Sequence, residues 1–201
     1  MNIRDFKSEN GARGGLMRNN RFLVTFATPI TLIGNPIAGI NRTIEYWCEG
    51  ASIPDYIMGT SDVRRWSYGP SEKRPFMPNF TQLVLTFQSD SAGQVYSFFD
   101  AWMQSILPHN TRNGLNQTFI NGRQPYELEY KQNYVTDLHL FVFDIAGDVT
   151  FDFVFKEAFP SAMPPIPLNW GDNNSITRFQ VAIDFVDWYT NSQQQPIAGI
   201  R

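Results

Sequence analysis

Two histidines, one cysteine and a thin scatter of carboxylates are the groups in this 201-residue chain that could run a reaction. His139 lies between Leu138 and Leu140 in an alternating apolar pattern, where a structural histidine of a strand is the simpler reading. His109 follows a helical pattern in a polar stretch, and neither histidine has a His, Cys or carboxylate partner at metal-ligand spacing. Cys48 falls in a strand pattern and reads as a small buried hydrophobe; alone, it excludes an intrachain disulfide and a multi-cysteine metal site. Asp152 and Asp184 could pair as acid and base of a glycosidase-like cleft, but single acids on outer strand faces are ordinarily just solvated. Arg64, Arg65, Lys73 and Arg74, interleaved with Trp66 and Tyr68, suggest a nucleic-acid stacking patch. Asp62 and Glu72 dilute its charge, and the rim of a protein interface explains it as well. The chain carries no phosphate-binding loop, GxSxG elbow or HExxH motif. The sequence therefore predicts no catalytic, cofactor-binding or metal-ligating residue and no cofactor.

Composition points the same way. The net charge of −3 and pI near 5.3 leave no basic footprint for gripping nucleic acid. Charged residues make up 17%, below the roughly 25–35% of a freely soluble surface, so self-association is expected to cover part of this one. Aromatics reach 15%, led by 17 Phe. No apolar run approaches the roughly 20 residues that cross a bilayer, so no membrane anchor is expected. The opening MNIRDFKSENGARGG lacks the apolar core of a secretory signal, and use without a standard export route is the expectation.

The elements that must position any site follow from periodicity. Ser89 to Leu107 is one amphipathic helix, with Val95, Phe98, Phe99, Trp102, Met103 and Ile106 on one face. Ser89, Asp90 and Ser91 offer capping oxygens, and Pro108 stops it. Strands are expected at Arg21–Ala27, Thr43–Glu49 and Phe80–Gln88, the last with Leu83, Leu85 and Phe87 on one face. Val63–Tyr68 is expected to pair as an edge strand or in a long hairpin. Thr136–Asp144 and Val149–Glu157 form a hairpin turning at Ala146-Gly147-Asp148. Ser175–Trp188 is the last strand, with Phe179, Val181, Ile183 and Phe185 opposite Arg178, Gln180 and Asp184. Phe159–Trp170 holds four prolines and is excluded from helix or central strand. The predicted fold is a mainly antiparallel β-sandwich or barrel with one packed helix. Its parts are a mobile arm (1–20), a single β domain (21–190) and a loose tail (191–201).

Four stretches taken in order are more specific than this generic outline. GGLMRNNRFLVTF (Gly14–Phe26), WCEGASIP (Trp47–Pro54), FTQLVLTFQSDSAGQVYSFFDAWMQSI (Phe80–Ile106) and KEAFPSAMPPIPLNWGDNNSITRFQVAIDFVDW (Lys156–Trp188) resemble the tail tube proteins of contractile-tailed, T-even-like bacteriophages. The resemblance covers most of Gly14–Trp188. The chain departs from it in a longer Asn113–Gln124 loop, an extended C-terminal tail and a denser proline segment.

The resemblance implies a non-catalytic virion protein that forms hexameric rings stacked head-to-tail into a hollow tube, assembled in the host bacterial cytoplasm. Its implied partners are further copies of itself, the tail sheath protein, a baseplate tube-initiator, a tail terminator, a tape measure protein in the lumen, and DNA passing without specific binding. A lumen face should be polar and neutral or acidic. Arg178/Gln180/Asp184 and Thr150/Asp152/Lys156 are the two candidate sets. Alternatives are a tube-initiator, the tube of a phage-like contractile injection system, and a carbohydrate-binding β-sandwich using Trp47, Trp66, Trp170 or Trp188. A hydrolase on a β scaffold lacks a nucleophile–base set.

Overall fold

Alternating burial organises the chain. In the computed structural model, which describes residues 2–12, 15–34, 39–64, 69–108, 127–171 and 175–192, nine strands and four α-helices are present. In chain order they are α1 (Ile3–Ala12), β1 (Phe22–Phe26), α2 (Asn41–Trp47), β2 (Cys48–Ser52), β3 (Tyr56–Val63), β4 (Glu72–Phe80) and β5 (Leu83–Gln88). There follow α3 (Gln94–Ile106), α4 (Lys131–Tyr134), β6 (Thr136–Phe143), β7 (Val149–Ala162), β8 (Arg178–Asp184) and β9 (Asp187–Ser192). All pairings are antiparallel, as expected.

The 14-residue β7 is the spine. Its first half lies between β6 and β9, in a layer ordered β1-β6-β7-β9. From Phe159 it pairs with β8, in a second layer ordered β2-β5-β8-β7. The crossing happens at Glu157, which stands in the left-handed region at φ 52°. β8 and β9 break together with it at Phe185–Val186, where the Val186 amide donates to the Lys156 carbonyl. The expected single strand Ser175–Trp188 is thus two strands in two layers, because its partner turns a corner. The same corner extends β7 into the proline segment. Pro160 is accommodated because β7 has a neighbour on one side only there.

The helix expected from Ser89 begins at Gln94, behind a left-handed Gly93 at φ 65°. Gly93 itself offers no side-chain cap, but the Asp90 carboxylate still accepts the Val95 amide at 3.3 Å. Val95, Phe98, Phe99 and Trp102 are fully buried, each contributing about 1.5–3 kcal/mol by leaving water. α3 bridges the layers: Phe98 meets Phe26 of β1 at 5.8 Å, and Phe99 meets Phe87 of β5 at 4.9 Å. Inward-facing Leu83, Leu85, Phe87, Leu138, Leu140, Phe155, Phe179, Val181 and Ile183 complete the core.

A further local expectation is corrected. Thr43–Glu49 is not a strand: Asn41–Trp47 is helical, and the strand begins at Cys48. Ile40, Ile44 and Trp47 share a helical face on the core, and Asn41 Nδ2 donates to the Phe26 carbonyl and to Thr28 Oγ1. Tertiary packing overrides the β-branched propensity of this segment. In the N-terminal arm, Ile3–Ala12 is helical, although no apolar period marks it.

Candidate functional site

No group of three or more metal-ligating side chains exists among the described residues, and no helix there is long and apolar enough to cross a membrane. His139 lies on the outward side of β6, with Nδ1 3.1 Å from Asp152 Oδ1 and its ring stacked on Phe141. That places Asp152 in a structural pair. Asp184 lies opposite Phe159, seven residues further along β7 and beyond the corner. Asp152 stands in the first layer and Asp184 in the second, on either side of the corner, so the two acids share no strand pairing that would set them across one cleft. Cys48 is half-buried, with its thiol pushed up to about 12 by burial against a weaker opposing contact to the Gly50 carbonyl. Burial thus disfavours the thiolate, the form in which a cysteine attacks. His109, Trp66 and the Asn113–Gln124 loop lie outside the described residues.

What the structure does present is an assembly surface. β3 and β4 form a two-stranded hairpin that leaves the second layer as a direct continuation of its β2–β5 pair, through Ile53–Asp55 and Thr81–Gln82. The strand or hairpin expected over Val63–Tyr68 falls largely outside the described residues, and Val63 itself ends β3. Lys73 and Arg74 of the basic patch sit on it, exposed, with Arg74 3.2 Å from Glu72. The root is clamped by rings: Tyr56 on Phe80 at 5.6 Å, Phe80 on Phe185 at 6.1 Å, and Phe80 edge-on to Trp188 at 6.3 Å. Those rings close on Phe155, 5.1 Å from Phe185. Beyond the root, no layer of the described residues lies beneath the ribbon. Ile57, Met58, Phe76 and Met77 are 46–64% exposed. Phe76 lies against Gly59, where an added Cβ would stand 3.1 Å from its ring and push it outward by a few tenths of an ångström.

The two layers offer different outer faces. The first carries Phe141, the half-exposed Tyr189, the His139–Asp152 pair and a Lys156–Asp137 pair at 2.5 Å. Burial opposes the Asp137 charge, but hydrogen bonds from the Lys156 ammonium and the Glu157 amide outweigh it and hold the carboxyl below its ordinary value. The second presents Gly50, Ser52, Val84, Thr86, Gln88, Arg178, Gln180 and Ala182. Phe159, at the corner, is turned against Tyr134 at 5.4 Å. Neither candidate lumen set is buried in the helix-facing core.

Arg178 Nε donates to Glu49 Oε2 at 2.5 Å, across the intervening β5. Glu49 reaches it because it is the extra residue of a bulge between Cys48 and Gly50. The sequence reading missed this pair, since 129 residues separate its members. It also missed the ring cluster at the hairpin root, although the concentration of aromatics in Phe80, Phe185 and Trp188 was a usable signal.

Of the tryptophans proposed for sugar stacking, Trp47 and Trp188 pack on the core, while Trp170 is fully exposed.

A profile of the family described as phage tail tube protein matches residues 17–191. No curated protein matches the chain. Among solved structures it is similar to a chain of the anti-feeding prophage baseplate, a cryo-EM structure symmetrised six-fold. The TM-score is 0.58 at 11% identity, covering 90% of this chain and 98% of that one. It is also similar to a chain of the sheath–tube complex of the PVC extracellular contractile injection system, in the extended state. There the TM-score is 0.52 at 15% identity, covering 96% and 99%. A chain of the same system's sheath/tube terminator gives 0.51 at 15% identity, covering 88% and 97%. At these identities the likeness establishes the fold.

Proposed function

The chain belongs to the phage tail tube protein family, and on that premise we propose that it is a structural subunit whose hexameric rings stack into the hollow genome conduit of a contractile tail. The observation that carries this reading is the clamped, apolar hairpin that prolongs one layer of the domain beyond its own core. An isolated ribbon of this kind is marginal in water unless another surface covers it. A neighbouring ring supplies that surface.

Sheet topology supports ring closure. The second layer has four strands in strict alternation, so its β2 edge and its β7 edge run in opposite directions. A copy placed beside it by simple rotation meets β7 with an antiparallel β2. Two different edges meeting head-to-tail are what a closed ring requires, and closure removes edges that would otherwise recruit any passing strand.

The proposed partners are further copies of the chain, the sheath protein outside, a baseplate initiator and a terminator at the tube ends, and the tape measure protein and DNA within. Assembly is proposed in the bacterial cytoplasm before incorporation into the virion tail. Residues 1–20 are proposed as an arm to the neighbouring ring; the tail expected from residue 191 is shortened by two residues, because Asn191 and Ser192 belong to β9 and pair with β7.

Negative-stain microscopy of the wild-type chain, beside one with residues 57–79 replaced by a short Gly-Ser linker, tests the reading. Wild type should give rings and hollow tubes of uniform width, and the shortened chain a folded species that does not stack. Tubes of normal length from the shortened chain would contradict the role of the hairpin. A wild type that stays monomeric at every concentration would contradict the tube.

A further inference from the structure

We propose that the outer face of the β2-β5-β8-β7 layer is the wall of the bore, and that Glu49 serves there to mask Arg178 so that the wall does not hold DNA. This rests on the tube reading above and adds to it which face is the wall and what keeps it non-adhesive.

The choice between faces follows from what a polyanion with stacked bases would find on each. Aromatic platforms retain bases, and uncompensated cations retain phosphates with strong salt dependence. The first layer's outer face offers Phe141, Tyr189 and the His139 ring. Besides Glu49, Arg178 and Asp184, the second offers uncharged polar or aliphatic side chains on β2, β5 and β8, with Phe159 occupied by Tyr134 at the corner. It is also the layer whose strands run on into the hairpin, so a ring-to-ring contact through the hairpin makes its wall continuous along the axis.

Among the strand residues of that layer, taking β7 from Ala158, Arg178 is the single cation. A hexamer would repeat it six times at one level, which is enough convergent charge to stall a nucleic acid. Glu49 answers it. β2 lies two strands from β8, about 9.5 Å away, and a regular strand pairing at this point would place residue 49 directly opposite Thr86. The bulge frees it instead to cross Gln88 and engage the guanidinium. With Asp184 also on β8, the strand charges of the layer sum to a slight negative excess.

The test measures binding of a fluorescein-labelled 20-nucleotide single-stranded DNA by anisotropy at low and moderate salt, with the same samples imaged by negative stain. Wild type should bind weakly. E49Q should bind at least ~10-fold more tightly with a steeper salt dependence, and E49Q/R178Q should return to the wild-type value. Q180K adds an unmasked cation to the same face without touching the pair and should also tighten binding ~10-fold. N191K, on the first layer, should change it less than ~2-fold. Rings with E49Q and Q180K both at the wild-type affinity would overturn this inference while leaving the tube intact. A greater rise in N191K than in Q180K would overturn the choice of face. Absence of rings in wild type would overturn the tube reading, and this inference with it.

Discussion

Trp102 fills the space between the layers with its ring and ties α3 to α4 with its indole N–H, which donates to the Tyr134 carbonyl at 2.8 Å. Trp102→Ala should cost about 3–5 kcal/mol in denaturant unfolding. Trp102→Phe keeps most of the packing but strands a carbonyl, and should cost about 1–3 kcal/mol; equal losses for the two would show that the hydrogen bond dominates. Cys48, raised to about 12 chiefly by burial, should resist alkylation at pH 8 until the chain is unfolded. Fast modification of the native protein would refute its placement. The Asp137–Lys156 pair has a pH signature. Asp137 is held below its ordinary 3.8, so its contribution is present above that value and lost as pH falls through the folded one. Lys156 is raised, chiefly by its hydrogen bond to Asp137, so its contribution is lost only as pH climbs past 10.5. Melting temperatures should therefore fall more steeply in wild type than in D137N below about pH 4, and parallel curves would contradict the pair.

At the scale of elements, the corner in β7 carries the clearest prediction. Glu157 at φ 52° bears the cost of a side chain in the left-handed region and forms an ion pair with Lys131. E157G and E157A both lose that pair, so their difference isolates the backbone, and E157G should be more stable by about 1 kcal/mol. Equal stabilities would mean that the corner relaxes. This corner also marks the limit of what was legible in the sequence. Strands with clean alternation, such as Leu83/Leu85/Phe87 and Phe179/Val181/Ile183, declared their buried faces, and so did α3 through its aromatic stripe. Where β7, β8 and β9 change layers, the alternation of Phe153, Phe155 and of Ile183, Phe185 runs straight on, because apolar residues are needed on both sides of the bend. Period alone therefore joined two strands into one. α2 was misread for a related reason: Thr43, Ile44, Tyr46 and Trp47 are strand-prone, and only their packing partners make them helical. The assembly surface was half legible. A strand or long hairpin was expected over Val63–Tyr68 rather than the pairing of Tyr56–Val63 with Glu72–Phe80, and the ring-clamped root and the Glu49–Arg178 contact depend on residues brought together from distant parts of the chain.

For the whole molecule, the low charge content, the open strand edges and the uncovered hairpin have one common explanation in self-assembly. The N-terminal arm belongs to the same argument. Deleting residues 1–20 should leave the thermal transition nearly unchanged while abolishing stacking, because the core cluster contains none of them; normal tubes from that deletion would remove the arm from the account. The measurement that bears most directly on the central claim is a cryo-EM cross-section of the concentrated wild-type chain. The account predicts six copies around an open bore, the hairpin of each ring seated on the next, and Arg178 with Glu49 at the bore surface. A compact oligomer without a bore, or a chain that remains single, would contradict it.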